Sequence, residues 1–263
     1  MRNTHPGRDI FAVSFALLAA FSLFLPGFAR AWAMVPGWMP AHDAVATAAA
    51  AILLAGSIAL FVPHTSRPAS AVLFVLLVVR LVLMHARPIA THPLVEGTWE
   101  ELGESLIFVA GAWIIFSLLA RTANREESGN VRAGQIVFAL AMLPIGLSHF
   151  VYLDMTAPLI PSWLPFHVAL AYLTGAAWIA GGLAILFGVL APIAATLTAV
   201  MVSLFTVLVW VPIVIAAPTN LGNVSELCVS AAITGAAWAV AGSFRGRFWL
   251  PVPSARPILS SET

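Results

Sequence analysis

Lysine is absent from this chain, and charge of either sign is scarce. All twelve basic residues are arginine, eleven residues are acidic, and the formal net charge is +1. Charged residues make up 9% of the sequence, against roughly 25% in soluble domains. So few charges cannot cover a water-facing surface, which excludes a soluble enzyme and a disordered chain. The near-neutral balance offers no basic field for nucleic acid. Cysteine occurs once, as Cys228. A lone sulfur excludes an intramolecular disulfide, a dithiol relay and cysteine-rich zinc or iron–sulfur sites.

What is present in quantity is apolar. Hydrophobic residues are 61% of the 263, and the mean hydropathy is +0.98. A helix needs about 20 mostly apolar residues to cross a bilayer. Eight such stretches lie near 10–29, 43–62, 69–86, 102–120, 134–153, 168–187, 191–216 and 226–243. Their apolar residues run continuously instead of alternating, which selects helices over barrel strands. The lipid bilayer is therefore the expected partner. An even number of spans puts both termini on one side. Arg2, Arg8, Arg67, Arg121, Arg125, Arg132, Arg245, Arg247 and Arg256 fall on that side, against Arg30, Arg80 and Arg87 at or near the other. The positive-inside rule makes that side cytoplasmic. The expected location is a bacterial inner membrane, crossed many times.

The sequence repeats itself at an offset of 125. Pro36-Gly37-Trp38-Met39-Pro40-Ala41-His42 lies on Pro161-Ser162-Trp163-Leu164-Pro165-Phe166-His167. Gly56 lies on Gly181, Pro93 on Pro218, Gly97 on Gly222, Glu101 on Glu226 and Ser105 on Ser230. Shared Ala and Leu would mean little in an apolar chain, but this pattern is too specific to be composition. The expected fold is all-α, with eight transmembrane helices as two parallel four-helix repeats. The first repeat covers 1–125, and the second covers 126–263 with a short cytoplasmic tail. An even-numbered unit repeats without inversion, so a pseudo-two-fold axis along the membrane normal is expected.

Polar residues inside such a bundle are functional candidates. His42 and His167 follow the repeated Pro-x-Trp-x-Pro signature, whose prolines and tryptophans are explained by helix starts and interfacial anchoring. The histidines are not. Glu101 and Ser105 share a helix face at i, i+4, as do Glu226 and Ser230. Pairing of His42 with Glu101, and of His167 with Glu226, is the expectation. The first unit adds a candidate ion pair of Arg80 with Glu104, where the second has Phe205 and Val229. His149 sits alone near the outer end of the fifth span, opposite Phe24 in the first unit. The spacing of His85, His92 and their neighbouring carboxylates matches no metal motif, so no metal is expected. Glu96 and Glu100 fit the favourable field of a helix N-terminus.

The second unit also resembles a known family. Gly146-x-x-His149-Phe150, Pro161-Ser162-Trp163-Leu164-Pro165, Tyr172-Leu173-Thr174-Gly175 and Gly181-Gly182-Leu183-Ala184-Ile185-Leu186 resemble the DoxX-like family of four-helix bacterial membrane proteins. The resemblance covers roughly residues 134–243, with a fainter echo over 10–120. It implies a four-helix membrane unit. Some relatives are linked to quinone-coupled oxidation of thiosulfate, others to maturation of redox proteins. A glutamate common after the Thr-Gly of the second span is replaced here by Trp178, and by Leu53 in the first unit. The resulting expectation is a protein of a redox or quinone-linked system, working with a membrane or periplasmic redox partner. It would bind a small amphipathic ligand near the outer leaflet through His149, His167, Glu226 and Ser230, with His42, Glu101 and Ser105 as the divergent twin. No cofactor is encoded, and quinone is the candidate ligand. A non-catalytic carrier and a structural subunit of a membrane complex are the alternatives.

Overall fold

The computed structural model describes residues 6–120 and 128–244. The expected unit boundary at 125, the arginines at 2, 121, 125, 245, 247 and 256, and the tail beyond Phe244 lie outside the described residues. Within them the chain is helical throughout, with no strand. Four long helices form the first half: α1 (Pro6–Phe24), α3 (His42–Ala59), α4 (Ser66–Thr91) and α5 (Glu96–Ala120). A one-turn helix, α2 (Phe28–Ala31), follows α1. The second half opens with α6 (Ser128–Val151), the short α7 (Leu153–Thr156) and a 3₁₀ turn (Ala157–Leu159). It continues with α8 (His167–Phe187), α9 (Ala191–Phe205), a π-helical turn (Thr206–Trp210), α10 (Val211–Ala216) and α11 (Leu221–Ser243). Counting α9 through α10 as one rod, the described residues hold eight helices long and apolar enough to cross a membrane.

The ends of these helices differ from the apolar windows in the sequence, for physical reasons. The first span stops at Phe24 because Pro26 and Gly27 follow, and Gly27 takes a left-handed φ of 85°. The helix α5 starts at Glu96, six residues before the apolar stretch, because its first turns are polar but still helical. Likewise α11 begins at Leu221, where the Asn220 side chain accepts a hydrogen bond from the Asn223 backbone N–H at 3.2 Å.

Packing follows from side-chain size. The central helices are α5 and α11, which touch each other and carry small residues where they meet. A Cβ on Gly111 would stand 2.7 Å from the Ala236 Cβ and 2.9 Å from the Phe11 ring, so only glycine admits this approach. Around that core, α1 packs on α3 and α11, α4 on α5 and α3, and α6 on α5 and α8. Phe15 meets Phe108 edge-to-face at 5.2 Å, and Phe11 lies 4.6 Å from Phe15. The outer rod, α9 to α10, is the most apolar and the least buried of the eight. Val72, Val75, Val79 and Val82 form a similar exposed stripe along α4. Such surfaces fit hydrocarbon, since exposing them to water costs about 25 cal/mol per Å².

Arg132 closes one end of the second half. Its guanidinium donates to the Ile185 carbonyl at 2.9 Å and the Leu186 carbonyl at 2.6 Å, satisfying the free C=O groups at the end of α8.

Candidate functional site

A cavity of about 190 Å³ lies between the second half and α5 of the first, at the end of the bundle where α5 and α11 begin. Its walls come from α5, α6, α8, the α9–α10 rod and α11, with Thr156, Leu159 and Ile160 from the segment after α6. Three carboxylates line it: Glu100 and Glu104, one helical turn apart on α5, and Glu226 on α11. Glu226 is exposed at the rim, while Glu100 and Glu104 are half-buried. His149 enters from α6, and Phe205, Trp210 and the nearly buried Trp178 supply aromatic walls.

Local structure aims these groups. The helices α6 and α8 cross at glycine: a Cβ on Gly175 would stand 2.7 Å from the His149 Cβ and 2.8 Å from the Gly146 carbonyl oxygen. That close crossing brings His149 to the cavity wall. The His149 Nδ1 lies 2.9 Å from the Ile145 carbonyl oxygen. A carbonyl can only accept, so Nδ1 carries the proton, and Nε2 of the neutral ring is an acceptor. Phe150 stacks on Tyr172 beside it, with ring centroids 5.4 Å apart. The Tyr152 hydroxyl accepts from the Gly97 N–H at 3.0 Å, tying the start of α5 to the end of α6.

The π-helical turn presents Val209 and Trp210. Pro212 has no N–H to return to the Leu208 carbonyl, which frees that carbonyl and lets the coil widen. Thr206 bridges the same turn to α11, its hydroxyl lying 2.8 Å from the Ser230 Oγ and 2.9 Å from the Thr234 Oγ1.

The first half arranges its polar residues differently. Arg80 donates through Nε to the Ala33 carbonyl at 3.1 Å and through Nη1 to the Ser105 Oγ at 3.2 Å. Its guanidinium lies over the Trp32 ring, 4.7 Å from the centroid. The buried His85 places Nε2 2.8 Å from the same Ser105 oxygen, and its Nδ1 has no hydrogen-bond partner. A separate cavity of about 200 Å³ lies beside α2, lined by Trp32, His42 and Asp43 among others.

The structure therefore redistributes the residues singled out from sequence. His149, Glu226 and Ser230 share the cavity. His167 is not among its lining residues: its Nε2 lies 3.1 Å from the Pro161 carbonyl oxygen, back towards its own connecting loop. His42 meets its neighbour Asp43 at 3.0 Å, and Glu101 is exposed on α5, so neither expected His–Glu pair is among the contacts of the described residues. Arg80 and Glu104 form no salt bridge either. Ser105, the Ala33 carbonyl and Trp32 hold the guanidinium, and Glu104 and Glu101 act on it only from further away. Sequence reasoning missed Glu100, whose position at a helix N-terminus already explained it, and the cavity role of Glu104. The signal for both was their i, i+4 spacing. Among the described residues, no group of three His, Cys, Asp or Glu side chains is placed to hold a metal ion.

No family model matches this chain, and no curated protein or solved structure matches it either.

Proposed function

We propose that this chain is a DoxX-like membrane protein of two parallel four-helix units, and that the second unit binds a small amphipathic molecule. The observation that carries the binding role is the cavity itself. Three carboxylates and an acceptor nitrogen converge on an aromatic-walled space at one end of the bundle. Sites for small molecules have this composition, mostly apolar with a few convergent polar groups.

Several features support the duplication. Helix starts recur at one spacing: His42 and His167, Ser66 and Ala191, Glu96 and Leu221 are each 125 residues apart. Ala41 and Phe166, also 125 apart, both take left-handed backbone just before α3 and α8. The packing recurs as well, α1–α3–α4–α5 in the first half and α6–α8–α9–α11 in the second. Each half's last helix then packs on the other's first, α5 on α6 and α11 on α1. Gly111 and Ala236 are counterparts and face each other across α5 and α11, as residues on a two-fold axis must.

In the proposed orientation the termini are cytoplasmic, in a bacterial inner membrane, and the cavity lies towards the outer leaflet. A quinone-linked role, which the family resemblance implies, would use the same polar groups. The His149 Nε2 and an ionised carboxylate accept hydrogen bonds from the hydroxyls of a quinol, and a protonated carboxyl donates to the carbonyl of a quinone. Electrons would then leave through a membrane or periplasmic redox partner. A carrier would use the same cavity to move or present its cargo without chemistry.

Mass spectrometry of protein purified in mild detergent tests the reading. One small molecule should be recovered per chain, and Thr174→Phe, which narrows the cavity, should lose it. Removing the molecule should lower the thermal midpoint, because a ligand bound only to the folded state stabilises it. If no small molecule is recovered, and the fluorescence of Trp178 and Trp210 responds to no amphipathic probe, the reading is wrong.

A further inference from the structure

The two halves use matching positions differently. Phe205, Trp210, Ser230 and Glu226 border the cavity. Their counterparts 125 residues earlier are Arg80, His85, Ser105 and Glu101. There the Arg80 guanidinium donates to the Ala33 carbonyl and to Ser105 and lies over Trp32, beside the cavity of about 200 Å³ that Trp32 and Ala33 also line. The first half thus holds a guanidinium of its own on an aromatic face, with Glu104 and Glu101 acting on it from further away.

From this we infer that the cavity of the second unit takes a small organic cation, an ammonium or guanidinium group on an apolar body. The inference rests on the reading of the cavity as a ligand site. Its second support is independent of the first unit. Glu100, Glu104 and Glu226 face the cavity, and none forms a salt bridge, since the salt bridges among the described residues are Arg8–Asp9 and His42–Asp43. Carboxylates gathered at the end of a bundle are costly without a close cation, because burial removes hydration, and Arg80 acts on Glu104 only from a distance. A ligand cation would supply that partner. Trp178, Trp210 and Phe205 line the cavity and supply aromatic rings for cation–π contact and an apolar wall for the body. The volume of about 190 Å³ exceeds what a bare ion needs. The His149 Nε2 and the carboxylates can accept all the N–H donors such a group brings.

Calorimetry on protein in nanodiscs tests this with 2-phenylethylammonium against its neutral isostere, 2-phenylethanol. The ammonium should bind at least tenfold more tightly than the alcohol. Glu104→Gln, which keeps the shape and removes the charge, should weaken the ammonium at least tenfold. Phe205→Arg, which gives the second unit the arginine of the first, should abolish its binding, and thermal unfolding of both variants establishes that they are folded. Equal affinity for the two probes, with both lost in Phe205→Arg, would overturn the cation inference and leave the ligand site standing. Ammonium binding unchanged in both folded variants would also overturn it. If neither probe binds, the cation inference falls, and the ligand-site reading is decided by the mass spectrometry described above.

Discussion

Ser105 is the residue on which the polar cluster of the first half depends. One hydroxyl oxygen accepts from Arg80 and meets the His85 ring, and no other hydrogen-bond partner is available to that ring. Ser105→Ala would strand the His85 Nε2 in the core. Leaving one buried polar group unpaired costs about 1–3 kcal/mol, so the thermal midpoint should fall clearly. Arg80→Lys tests the geometry rather than the charge. An ammonium cannot span the Ala33 carbonyl and Ser105 while stacking on Trp32 as the planar guanidinium does, so a loss of about 1–3 kcal/mol is expected. A midpoint equal to that of the unmodified protein would show that the fork geometry is unimportant. The residue scale is also where the sequence was least legible. Arg80 and Glu104 are both ionisable, in adjacent helices and at similar depth, so a pair was the natural expectation. Which acceptor an arginine reaches depends on loop backbone, here the carbonyl of Ala33, and no sequence pattern encodes that carbonyl's position.

At the scale of elements, the crossing of α6 and α8 decides where His149 stands. Gly175→Ala puts a methyl group against the His149 Cβ and the Gly146 carbonyl, and the helices must separate. The expected loss is about 1–3 kcal/mol, by overpacking, together with weaker ligand binding as His149 withdraws. Gly242 in α11 makes a contrast. A Cβ there meets nothing within 4 Å, so Gly242→Ala should hold or raise the midpoint, because alanine is the better helix former. A similar loss in both variants would show that helix propensity, not close approach, governs these sites. The eight long helices were legible because twenty apolar residues have few other uses. Their ends were less so, since Glu96–Glu101 is polar and yet helical. The π-helical turn at Thr206–Trp210 was not foreseen at all. It depends on the missing N–H of Pro212 together with the Thr206 contacts to α11.

For the whole molecule, the alternation of eight spans makes a prediction that labelling can check. Cys228 is buried, so it should stay silent to a membrane-impermeant thiol reagent. Introduced cysteines at Leu94 and Trp163, both exposed, should react in intact cells, while those at His64 and Val189 should react only after lysis. Reaction of all four from outside would break the proposed topology. Composition and hydropathy alone determined the solvent, the helical class and the number of spans, because covering apolar surface with so few charges is possible only in lipid. The offset of 125 supports the proposed duplication of a four-helix unit. What only tertiary structure decided is which cavity gathers three carboxylates. The matching positions Arg80 and Phe205 read as a simple divergence in the sequence. In three dimensions the long cation reaches the Ala33 carbonyl and Ser105, and the shorter apolar ring borders a cavity lined by three carboxylates from two helices. That outcome depends on side-chain reach across helix interfaces, a distance that residue order does not contain.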